Sequence, residues 1–242
     1  MSNLHSSPLS RPRPKFWIAA FLVLGATAAV AGTPAETPAP AAEPVAAPVV
    51  TVADYVLDPT KSQLYVQVYK DPDTLAAGLS HDHVIAATGW NGKVTWDTAN
   101  IAACKVSITV PTSGLVNDEE SMRKKVGYDT VLDQGDRDEV KEHMLGSDQL
   151  NAGSFPSLTF TSTSCAASGT GTIVKGNMSM HGVSKAVSVT MAITADGKSF
   201  AAKGNLSIGQ TDFGITPFSA LFGQLKNKNE MKFTIDVKGA AK

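Results

Sequence analysis

A chain of 242 residues with 21 Lys and Arg, 22 Asp and Glu and a net charge of −1 carries no basic surplus with which to hold nucleic acid. Aromatic residues make up only 7% of it, so a base-stacking platform is excluded as well. The length suits one or two domains, and the first fifty residues do not read as a folded one.

Arg11, Arg13 and Lys15 precede the apolar run FWIAAFLVLGATAAVA, from Phe16 to Ala31, and Ala29-Val30-Ala31 offers small residues for cleavage. That pattern predicts a secretory signal peptide over residues 1–31 and a periplasmic or secreted product. Left uncut, the same run would anchor the chain and keep it close to the membrane, although it is short for a bilayer span. Residues 32–53 are rich in Pro and Ala and read as a stiff linker that builds no core. The folded domain is expected over 54–242.

From there apolar residues recur with period two, the mark of half-buried strands. Leu64, Val66 and Val68 form one such set, then Val106, Ile108 and Val110, then Leu158 and Phe160. Val174, Met178 and Met180 follow, then Val187, Val189, Met191 and Ile193, then Leu206 and Ile208, then Phe233, Ile235 and Val237. The turn signals DPTK, GWNG, SGTG, HGVSK and ADGK keep the connections short. Short connections imply antiparallel pairing, and closing the sheet into a barrel leaves no exposed edge.

Two segments break the rhythm. Asn117 to Ala152 is highly charged, and Val140, Met144 and Leu145 fall at helical spacing, so a helix is expected over 136–145, outside the barrel or across one end. Phe218, Leu221, Phe222 and Leu225 occupy the i, i+3, i+4, i+7 positions of one helical stripe, which would plug a barrel end or act as an apolar flap.

Export allows Cys104 and Cys165 to form a disulfide. Cys104 opens the run CKVSITV and Cys165 closes SLTFTSTSC, so antiparallel pairing of the two would bring them together. Their phases disagree, because Cys104 shares parity with Val106 whereas Cys165 is out of step with Phe160; the bridge needs a bulge, or else both thiols stay free.

His81-Asp82-His83 stands at the entrance of a strand-like run. Histidines two apart on a strand face the same way, so His81 and His83 offer a zinc or copper site. The plainer reading is a hydrogen-bonded strand cap, since only His143 and His181 remain as histidines after cleavage and both lie in other elements. No Gly-x-Ser-x-Gly elbow, phosphate loop, dinucleotide fingerprint or His-Glu-x-x-His is present, so no catalytic residues and no cofactor are expected.

The order YVLDPTKSQLYVQV, HDHVIAATGWNGKV, FPSLTFTSTS, GNMSMHGVSKAVSV, TDFGI resembles the YceI-like family of secreted bacterial proteins across 54–237. Its most specific pieces are Phe155-Pro156 leading to Thr159-Phe160, the turn Gly182-Val183-Ser184-Lys185, and Asp212-Phe213-Gly214. The segment 117–152 is longer and more acidic than in the best-known members, and the Gly-x-x-His-Asp-His stretch looks like that of a subgroup. The resemblance implies an all-β fold, a lipocalin-like antiparallel barrel of about eight strands with one or two short helices, holding a lipid-like, isoprenoid-type chain. Such a guest would lie against Val66, Val68, Val106, Ile108, Phe160, Met178, Met180, Val189, Met191, Phe233 and Ile235, with methionines supplying a conformable wall. Two other readings stay open: a metal-binding protein or metal-dependent enzyme centred on His81 and His83, and a packed structural envelope protein.

Overall fold

A computed structural model describes residues 52–242; the signal-peptide reading of 1–31, and the linker reading as far as residue 51, lie outside the described residues. The described strands are β1 (Val52–Leu57), β2 (Gln63–Lys70), β3 (His83–Ala87), β4 (Asn91–Asp97), β5 (Lys105–Pro111), β6 (Leu115–Asn117), β7 (Ser157–Ser168), β8 (Gly171–Met180), β9 (Val183–Ala195), β10 (Ser199–Gly209), β11 (Ser219–Ala220) and β12 (Leu225–Ala241). Two helices, α1 (Glu120–Lys125) and α2 (Gln134–Leu145), fall between β6 and β7. Val52 and Ala53, placed in the linker on composition, are already strand.

Hydrogen bonding runs β1-β4-β5-β7-β8-β9-β10-β12 and returns to β1, which closes an eight-stranded antiparallel barrel. The long β12 serves two partners on one edge. Gly239 to Ala241 pair with β1, whereas Asn227 to Asp236 pair with β2, which continues through β3 to β6. Alternation puts Tyr55, Val94, Val174, Val189, Met191, Phe200, Ala202 and Val237 inside, and their buried side chains form one cluster. Tyr55 lies 5.4 Å from the Phe200 ring and Trp96 6.2 Å from it, so three aromatics stopper this end. Gly204 lets β10 pass there, since a Cβ on it would stand 2.4 Å from the Met191 sulfur.

The opposite end is built differently. The β9–β10 ladder stops at Met191 opposite Gly204, and the turn Gln210–Phe213 packs against both strands beyond it. Phe213 is wholly buried there, with Met180, Ile215 and Met231 in one cluster. Asp212 accepts the Gly209 N–H at 3.0 Å and Gly214 takes a φ of 73°, so each residue of the Asp-Phe-Gly motif has a distinct part in seating that ring. The helix α2 begins at Gln134, ahead of the expected Asp136, because the Asp133 carboxylate caps it by accepting the Asp136 N–H at 2.9 Å.

The helical stripe at 218–225 is not formed. Ser219–Ala220 pair with Leu225 and Lys226 as a hairpin, and Leu221 and Phe222 take φ values of 51° and 55° at its tip. Spacing alone could not separate the two arrangements, because a tight turn also brings residues three and four apart together. Leu221 and Phe222 are fully or half exposed at that tip instead of packed as a stripe.

Cys104 and Cys165 are joined, with their Cα atoms 6.0 Å apart. The phase conflict is resolved by an irregularity in β7 between Ser162 and Ser164, after which Cys165 faces inward and is buried. The β5–β7 ladder ends just before it, and Ser162 Oγ instead accepts the Val106 N–H at 2.8 Å. The bond spans 61 residues of sequence. Replacing both cysteines by serine is expected to lower stability by about 2 to 4 kcal/mol, mainly through the freer unfolded chain. Urea unfolding of the variant and of reduced wild type should show the same loss; an unchanged midpoint would contradict it.

Candidate functional site

The barrel encloses a cavity of about 320 Å³, within the roughly 300–1,000 Å³ typical of small-molecule sites. All eleven residues expected on its wall line it: Val66, Val68, Val106, Ile108, Phe160, Met178, Met180, Val189, Met191, Phe233 and Ile235. Their shared position follows from parity, since each is an inward step of its strand. The aromatic stopper closes one end, and Val140, His143 and Met144 of α2, with Gln149 and Leu150 after it, cover the other. Of the four stripe residues, only Phe218 reaches the cavity, where its ring lies 5.1 Å from that of His143. Polar side chains on the wall, among them His83, His143, Gln149, Gln210 and Asn227, are few against the apolar ones.

His81 and His83 do not share a role. His83 opens β3 and joins the cavity wall, and its Nδ1 lies 2.8 Å from Asp118 Oδ2. His81 stands before the strand, where burial, followed by the charges of His83, Arg123 and Lys70, holds its pKa below the ordinary value. Asp82 caps differently from either, accepting the Lys70 N–H at 2.9 Å. Among the described residues no group of three or more His, Cys, Asp and Glu side chains is placed to hold a metal ion.

The partner of His83 belongs to a buried ionic network. Asp118 adopts a φ of 53°, a left-handed conformation that Asp tolerates, and its other oxygen accepts from Val84 N–H at 3.1 Å and from Arg123 Nη1 at 2.8 Å. Arg123, only 3% exposed, also donates to the carbonyls of Asp82 at 2.8 Å and Thr130 at 2.6 Å. Its guanidinium lies 5.3 Å from the Tyr128 ring centre. Burial pushes the Asp118 pKa up, but His83, the Val84 N–H and Arg123 together outweigh it and hold the carboxyl below its usual range. Burial likewise pushes the Tyr128 phenol up to about 12.

The family model of the YceI-like domain matches residues 55–239. The chain belongs to the YceI-like family. A UPF0312 protein of Yersinia enterocolitica is 31% identical over 135 residues, and a UPF0312 protein of Yersinia pseudotuberculosis matches to the same extent. Each match covers 52% of this chain and 60% of the relative, so the chain spans well under two thirds of the relatives' length. Among solved structures, Burkholderia cenocepacia BcnA superposes with a TM-score of 0.57 at 18% identity, covering 75% of this chain and 98% of that one, a likeness of fold.

Two motifs of the YceI-like domain meet in space. A Cβ on Gly182, which takes a φ of 74°, would lie 2.4 Å from the Phe155 ring, so the Phe-Pro entry to β7 rests on the β8–β9 turn. Sequence reasoning missed Asp118, Arg123 and the place of His143 on the cavity wall, whereas Val140 and Met144 belong to the helix expected across one end. Asp118 and Arg123 lie in a charge run that reads as solvated, and a separation of five residues matches no side-chain pairing pattern of a helix. The third member, His83, is 35 residues from Asp118, beyond any local pattern.

Proposed function

We propose that this YceI-like domain is an exported, periplasmic binding or carrier protein for a lipid-like, isoprenoid-type molecule held in the barrel. The observation that carries the reading is the apolar cavity, walled by residues of every barrel strand together with β2, β3 and β6, and covered by a separate helix. An apolar chain gains roughly 0.8 kcal/mol for each CH₂ removed from water, and much of that gross figure is offset by ordering the chain. No headgroup contact is required for retention on these terms. Catalysis is not needed to account for such a site.

The test is organic extraction and mass spectrometry of the protein purified from its native compartment, paired with Ile108→Trp. Ile108 lies on the cavity wall without being fully buried, so a larger ring should occupy guest space. Wild type is expected to yield an extractable long-chain lipid, and the variant to lose it with little change in thermal midpoint. If the interior were a packed core, the added ring would cost about 1 to 3 kcal/mol and wild type would yield no lipid. That pair of results would replace the carrier by a structural barrel.

A further inference from the structure

Resting on the carrier reading, we infer that His83 Nε2 is the head-group contact of the cavity and that it selects a guest bearing a hydroxyl. A carboxylate can only accept a hydrogen bond, so the 2.8 Å contact to Asp118 places the ring proton on Nδ1. In the neutral ring, Nε2 is then a lone pair. This atom has no hydrogen-bond partner among the described residues, and it is not one of their sealed, unpartnered polar atoms, which are Trp90 Nε1, His181 Nδ1 and Asp236 Oδ1. The His83 side chain retains 14% exposure and belongs to the cavity wall.

The buttress explains why the atom holds its position. Asp118 is fixed by the Val84 N–H and by Arg123, and Arg123 by two backbone carbonyls, so the ring cannot turn without breaking a buried ionic network. An acceptor so held in apolar surroundings accepts from an O–H and has nothing to offer an ether or ester oxygen. His143, the other histidine on the wall, does not duplicate it, because its side chain is 53% exposed and its Nε2 lies 3.7 Å from Glu139. The geometry therefore orients a guest with its polar end at the β3 entrance and its chain along the barrel.

Displacement of the neutral fluorophore N-phenyl-1-naphthylamine by dodecanol and by dodecyl methyl ether tests this. The two probes share a chain and differ in the O–H. Wild type should prefer the alcohol by about tenfold, the worth of one hydrogen bond in a dry site, and His83→Phe should bind both probes with the preference gone. In wild type the ¹⁵N resonance of His83 Nε2 should move with dodecanol and stay with the ether, a readout that survives if the variant fails to fold. Equal binding of both probes, or an unmoved resonance, overturns the inference and leaves the carrier standing. Absence of fluorophore and probe binding altogether overturns the carrier reading itself.

Discussion

Arg123→Ala should cost about 3 to 5 kcal/mol, among the largest losses available to a single substitution in this domain. The change leaves the Asp118 carboxylate, whose side chain is 0% exposed, without the guanidinium that balances its charge. It also strips the carbonyls of Asp82 and Thr130 of their donor. Against a typical total stability of about 5 to 15 kcal/mol, such a loss approaches unfolding. Arg123→Lys keeps the charge but cannot reach three acceptors in a plane, and should fall between the two. Removing both charges by Arg123→Met with Asp118→Asn should cost less than Arg123→Ala alone, since no buried ion is left behind; Asn also accepts the left-handed backbone at that position. Urea midpoints of the four proteins decide it. A loss below about 1 kcal/mol for Arg123→Ala would mean that water reaches the network.

Phe213→Ala is expected to lose a comparable amount, about 3 to 5 kcal/mol, for an unrelated reason. Phe213 is 0% exposed and fills the seam left where β9 and β10 part, against Met180, Ile215 and Met231. No neighbouring strand can close on the space, because the ladder has already ended at Gly204. Phe222→Ala provides the contrast, since that ring is fully exposed and its loss should stay within about 0.5 kcal/mol. Thermal and urea unfolding that ranked the two phenylalanines together would sink the seam account.

What the sequence disclosed follows from how each feature is encoded. Alternation is a local property of strands, so the inward residues from Val66 to Ile235 could be read directly and all line one cavity. The disulfide was half legible: pairing of the runs brought the cysteines close, and only the irregularity near Ser162 reconciles their phases. At 218–225 the pattern misled, because i, i+3, i+4 spacing fits a helix and a tight hairpin tip alike, and the positive φ at Leu221 and Phe222 is invisible in residue type. The network around Asp118 was hidden most thoroughly. Its members come from β3, the residue after β6, and α1, and charged residues are ordinarily solvated, so nothing short of the fold brings them together.

The ring closes between the first described strand and the last, with Tyr55 to Leu57 against Gly239 to Ala241. A chain made from its N-terminus therefore holds β1 with one edge unsatisfied until β12 has been made. Loop closure across nearly the whole domain is the slowest kind of contact to form, and a waiting strand edge is an invitation to other chains. The same adjacency makes the two ends of the domain near neighbours, so the order of synthesis is a property of the message and not of the barrel.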